Sequence, residues 1–191
     1  MARPKIDQDE VRFRLLNEAE KLLSETNGRR LVLSEIADRI GFSQPYIHKF
    51  FATKSDLVRA LARRWFDAVE NVSANALTAD APVPERLEMW LLGMLRIKRD
   101  RYDADPALFD AYMHLAADHP DLISAHTDRL RQDLTQILSD CVPSAELAAT
   151  VELVEDATAL FRIPQNIARY RASVTDRRAR AVLELIKPRL P

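Results

Sequence analysis

Between Leu33 and Leu57 the sequence LSEIADRIGFSQPYIHKFFATKSDL restricts the fold more than any other stretch, because two short apolar stripes flank a single glycine. Ile36 and Ile40 on one side, and Ile47 and Phe50 on the other, recur at helical intervals, so each segment offers one apolar face to a shared core. Ala37 is small enough to let the two helices approach where they cross. Gly41 stands where the chain reverses after Ile40, a position that often needs a backbone region disfavoured by a β-carbon. The turn is therefore Gly41, Phe42 and Ser43. Ser43 is placed to accept a hydrogen bond from an open amide of the second helix, and Pro45 suits a first helical turn, where its missing N–H loses nothing. The second helix begins at about Gln44. With Ile47, Phe50 and Phe51 turned inward, Gln44, Tyr46, His48 and Lys49 face outward: donors, acceptors and a cation, the chemistry that reads a DNA groove.

The flanks complete a small helical core. Val11, Leu15, Ala19, Leu22 and Leu23 repeat on one face, with Asp7 as cap and Gly28 as stop, which supplies a third helix ahead of the pair. Arg3 and Lys5, preceding it, are candidates for an arm on phosphate or minor groove. Lys54 to Ala79 reads as one long helix with Leu57, Leu61, Trp65 and Val69 on a stripe. Beyond it, Pro82 and Pro84, Asp105-Pro106, His119-Pro120-Asp121, Pro143-Ser144 and Thr175 or Asp176 open successive helices, and Pro164 is a candidate kink. With 3 glycines and few β-branched runs the chain is expected to be all-α. The expected architecture has about nine helices: an N-terminal three-helix helix-turn-helix domain over 1–53, joined by a connecting helix to a C-terminal helical bundle over 54–191.

Charge is uneven along the chain. The net charge is -1, yet the first 64 residues hold 13 Lys and Arg against 9 Asp and Glu, and the remainder 15 against 20. Local cation density governs association with phosphates, so an acidic distal part does not exclude DNA. The single Cys141 excludes an internal disulfide. The start MARPKID lacks the apolar stretch of a signal peptide, and no segment approaches the roughly 20 apolar residues that span a bilayer. The expected location is cytoplasmic.

The order IADRIGFS, QPYIHKFF, TKSDLVRAL resembles the DNA-binding segment of the TetR family of bacterial transcriptional regulators, through Ile36, Ala37, Gly41, Ser43, Ile47, Phe51, Lys54 and Leu57. Two positions depart from the family pattern. His48 stands where the family usually has a phosphate-binding Tyr, and Leu31, Val32 and Leu33 stand where a Thr or Ser usually opens the first helix of the motif; Ser34 is the nearest replacement cap. The resemblance implies a ligand-responsive repressor, released by a small-molecule effector from a palindromic operator on double-stranded DNA. Gln44, Tyr46 and Lys49 are then expected at or near bases and His48 and Lys54 at phosphates, with Ser43, Pro45, Ser34, Arg3 and Lys5 completing the DNA-facing set. The faces formed by Leu147, Val151, Val154, Ala179, Val182, Leu183 and Ile186 on the last two long helices could pack on the same chain or on a second copy; the resemblance implies a homodimer, with these residues as the candidate contact.

The distal sequence is rich in large apolar side chains. Trp90, Met94, Phe109, Tyr112, Met113 and Phe161 are expected to line an effector pocket, with Tyr112, His114 and Arg162 supplying polarity; the alternative is an ordinary packed core. Two other classes compete: a DNA-binding architectural protein without an effector, and a metal-binding helical-bundle enzyme. His114 and Asp118 have the i, i+4 spacing of a metal pair, but there is no HExxH, and the ExxE at Glu152–Glu155 lacks a following His. A Gly-rich phosphate loop, a CxxC pair and a GxSxG elbow are also missing. No catalytic residue, metal or cofactor is expected.

Overall fold

The computed structural model describes residues 7–187; Arg3 and Lys5 lie outside them. Among the described residues there are ten helices and no strand: α1 (Gln8–Glu25), α2 (Leu33–Ile40), α3 (Gln44–Ile47), α4 (Lys54–Thr78), α5 (Val83–Ala104), α6 (Pro106–Ala117), α7 (Pro120–Ser139), α8 (Ser144–Arg162), α9 (Pro164–Arg169) and α10 (Asp176–Ile186). The tenth helix arises at Pro164, expected only to kink a helix. Ile163 is extended there (φ -78°, ψ 120°), as the residue before a proline prefers, and α8 stops at Arg162. The chain forms two compact units. Among the described residues, those up to Arg64 with Asp105–His119 make the first, and Trp65–Ala104 with those from Pro120 to Lys187 the second.

In the first unit, α1 opens on Asp7, whose carboxylate accepts from the Asp9 amide at 3.0 Å. Its apolar stripe Val11, Leu15, Ala19, Leu22 and Leu23 is fully buried, as are Leu31, Ile36, Ala37, Ile47, Phe51, Leu57 and Leu61. Arg39 ties α2 to α1 through Glu25 (2.7 Å) and Glu18 (3.5 Å), and also meets Glu35 (3.2 Å). The unexpected member is α6, which packs on α1 here. Asp105 caps α6 through the Leu108 amide (2.9 Å) and accepts from Ser24 Oγ of α1 at 2.6 Å. Tyr112 Oη donates to Glu20 at 2.6 Å. Gly28, at φ 75°, is what permits the approach: a β-carbon on it would lie 2.9 Å from the Ala111 Cα.

The second unit is organised around α5. Trp90, Leu91, Met94 and Leu95 are fully buried, and the Trp90 indole donates to the buried Ser73 Oγ at 3.0 Å. Gly93 lets α5 close on α4, where a β-carbon would meet Val72 Cγ1 at 2.3 Å. Leu134, Ile137 and Leu138 of α7, Val151, Val154 and Phe161 of α8, Ile167 of α9, and Ala179, Leu183 and Ile186 of α10 complete one core with α5. Asp176 at the start of α10 pairs with Arg96 (2.7 Å) and Arg99 (2.9 Å) of α5. Among the described residues no helix is long and apolar enough to cross a membrane.

Candidate nucleic-acid interface

The turn between α2 and α3 is closed by main-chain bonds. Gly41 is left-handed (φ 72°, ψ 29°). Its amide reaches Asp38 O at 3.3 Å, and the Phe42 amide reaches Ala37 O at 3.0 Å, so two open carbonyls of α2 are satisfied. Ser43 precedes α3 as expected, but its hydroxyl makes no capping bond. Pro45 has no amide to offer, and the Tyr46 amide is taken by Ser43 O at 2.9 Å. Ser34 is not a cap either: α2 already begins at Leu33, after an extended Val32. After Ile47 the chain tightens, with Lys49 and Phe50 amides bonding three residues back, to Tyr46 O (3.2 Å) and Ile47 O (2.8 Å).

Ser43, Gln44, Pro45, His48, Lys49 and Lys54 are all exposed. Tyr46, expected to face outward, is half-buried between Phe42 (5.1 Å between ring centroids) and Phe50 (5.4 Å), both edge-on. Phe50, expected inward, is itself only half-buried, because the three rings at four-residue spacing pack on each other. The Lys49 ammonium lies 5.7 Å from the Tyr46 ring centroid. His48 Nδ1 is 3.1 Å from Ala52 O. Lys54 opens α4 beside a reciprocal cap. The Asp56 amide donates to Thr53 Oγ1 (3.1 Å), and the Thr53 amide donates to the Asp56 carboxylate (2.9 Å). The signal for that box, T-x-x-D at Thr53–Asp56, was present in the sequence.

This geometry of a buried stripe, a left-handed glycine and an exposed polar edge coincides with two family models. Residues 15–61 match bacterial regulatory proteins, tetR family, and residues 83–183 match the tetracyclin repressor-like C-terminal domain. The chain belongs to the TetR family. It is a DNA-binding transcriptional regulator with α2 and α3 as its helix-turn-helix, and TetR-family proteins are not, as a class, enzymes. Comparison with curated proteins found no match. Among solved structures, the TetR-family regulator PfmR from Thermus thermophilus is 19% identical, with TM-score 0.61, over 91% of this chain and 96% of that one. A TetR-like regulator from Rhodococcus sp. RHA1 is 14% identical, with TM-score 0.64, over 95% and 94%. The multidrug binding protein EbrR, solved with imidazole, is 16% identical, with TM-score 0.57, over 94% of each chain. All three share the fold.

The candidate effector residues of this TetR-family chain fall into two groups. Phe109 and Tyr112 are buried on α6 in the first unit, where Met113 is half-buried and His114 exposed. Trp90, Met94 and Phe161 are buried in the second unit, where Arg162 lies with its guanidinium carbon 5.5 Å from the Trp90 ring centroid. The two groups belong to different units because α6 packs on α1. Lys98, buried one turn beyond Met94, was missed because IKRDR reads as a solvated charge run. The residues expected between two copies are turned inward instead. Val151, Val154, Ala179, Leu183 and Ile186 are buried in their own unit, and Leu147 and Val182 pack against the same core. The apolar side chains left outside on these helices are Ala145, Ala148, Ala149 and Leu153 on α8, and Ala181 and Leu185 on α10. His114 and Asp118 are both exposed, and among the described residues no three His, Cys, Asp or Glu side chains converge as a metal site.

Proposed function

We propose that the protein is a homodimeric repressor, acting in the cytoplasm, that binds a palindromic operator and is released from it by a small-molecule effector held among the distal helices. The observation that carries this reading is the exposed edge of the helix-turn-helix, where Gln44, His48 and Lys49 stand beside the fixed Gly41 turn and Lys54 opens a capped 25-residue helix. Gln44, Tyr46 and Lys49 take base or near-base positions, and Ser43 and Pro45 line the same edge. Lys54 meets a phosphate where the start of α4 adds its positive dipole end. A two-fold dimer carries two such heads onto two half-sites. EbrR, a multidrug binding protein of the same fold, supports a small-molecule effector.

Release follows if the effector binds better to a state whose heads no longer match the half-site spacing; differential affinity is the whole driving force. Moving a site from 99% competent to 1% takes about 5.5 kcal/mol of such preference. The DNA assignment is tested by the salt dependence of operator binding for Lys49→Ala and Lys54→Ala. Each lost phosphate contact reduces the slope by about one counterion. An unchanged slope in both variants would refute the assignment.

A further inference from the structure

Lys98 is 4% exposed on the α5 stripe that carries Trp90 and Met94 at four-residue spacing. Its Nζ donates one hydrogen bond, 2.6 Å long, to the main-chain oxygen of Arg162, the last residue of α8. An ammonium has three donors, so two are left without an acceptor. The charges acting on it are cations: Arg162, and Arg101 on its own helix. Arg162 spends Nε on Thr158 Oγ1 (3.0 Å) and Nη2 on the Glu155 carbonyl (2.9 Å), both neutral acceptors, which leaves Nη1. Neither Lys98 nor Arg162 has a carboxylate within ion-pair distance among the described residues. Burial, then the repulsion of Arg162 and Arg101, pulls the Lys98 ammonium down to about 7. Burial lowers the Arg162 guanidinium as well.

Each of the two tryptophans of the chain faces one of these arginines. Arg162 sits 5.5 Å from the Trp90 ring centroid, and Arg101 sits 4.2 Å from that of Trp65. A lysine closing the C-terminus of α8 accounts for the one bond to Arg162 O. It does not account for a second, half-buried cation beside it, on which the Glu155 and Asp156 carboxylates act only from beyond ion-pair distance, since poorly paired charge near a core is unfavourable and a neutral donor would close the helix without that burden. A bound anion would supply the missing counter-charge. Two N–H on Lys98 and Nη1 on Arg162 suit the two oxygens of a carboxylate better than the three of a phosphate. Arg162 is half-buried and its neighbour Ile163 exposed, so the cluster lies close to solvent.

We propose that Lys98 and Arg162 receive the carboxylate of an amphipathic organic acid whose apolar body lies against Trp90 and Trp65. This names the chemical class of the effector and rests on the effector reading above. The test titrates the full chain with octanoate, decanoate and 2-naphthoate and with the matching neutral amides, read by the fluorescence of the two tryptophans. Lys98→Met and Arg162→Met are titrated alongside, with thermal melting to verify that each is folded. The expected result is at least tenfold tighter binding of acids than of amides, with that preference lost in both variants. Equal binding of acid and amide, a preference that survives in both folded variants, or no binding by any acid would overturn the site. The effector role is read separately in the same samples from operator affinity. Amides that release DNA while acids do not bind would keep the effector reading and overturn the anionic site. Acids that bind with the expected preference and leave DNA affinity unchanged would keep the site and overturn its regulatory role.

Discussion

At the scale of single residues, one ring nitrogen of His48 decides what the other can do. Nδ1 lies 3.1 Å from Ala52 O, a group that only accepts, so Nδ1 carries a proton. In a neutral ring Nε2 then presents a lone pair, which a phosphate repels; only the doubly protonated ring donates from Nε2. His48→Tyr should therefore tighten operator binding, since a phenol donates to a phosphate without needing a second ring proton. Anisotropy titrations of labelled DNA measure this, and a variant that binds no tighter than the wild type would refute it. Lys98 makes a claim on stability. Its ammonium is held at about 7 in the fold against 10.5 ordinarily, so between these values the unfolded chain binds more protons than the folded one. Stability therefore rises with pH above about 7, by about 2–3 kcal/mol up to pH 9. Lys98→Met should flatten that rise, as urea denaturation at the two pH values would show.

At the scale of elements, the two left-handed glycines separate backbone strain from crowding. Nothing lies within 4 Å of a β-carbon built on Gly41, so Gly41→Ala should destabilise by about 1 kcal/mol, from the backbone alone. Gly28→Ala adds a clash with the main chain of α6 at Ala111 and should cost several times more, as denaturant midpoints would reveal. Equal losses would mean that α6 is not held against α1 as described. The helix-turn-helix was legible in the sequence because Gly41 and the stripes around it are local signals, and local hydrogen bonds answer them. The seat of α6 was not legible. Asp105-Pro106 announces a helix start, but nothing within α6 says that Tyr112 will find Glu20, some ninety positions earlier in the chain. Ser43 misled for a related reason: a good capping residue needs a free amide opposite it, and Pro45 together with the Ser43 carbonyl removes both candidates.

At the scale of the whole molecule, periodicity identified the apolar faces of α8 and α10 without saying what would cover them. Val154 and Leu183 are consumed by their own chain, so in the proposed dimer a second copy would meet the outward residues, among them Leu153 (38% exposed) and Leu185 (78% exposed). Leu153→Asp with Leu185→Asp should give a monomer by light scattering at micromolar concentration and weaken operator binding by well over tenfold, because each head then binds a half-site alone. A wild type that is already monomeric would remove the dimer from the mechanism. Whether the protein reads DNA as a symmetric pair of heads is settled by selecting binding sequences from random double-stranded DNA with the purified protein, at near-physiological salt and with competitor present. Enrichment of a palindrome with two half-sites is the expected result; recovery of unrelated sequences with steep salt sensitivity, or of none, would refute it.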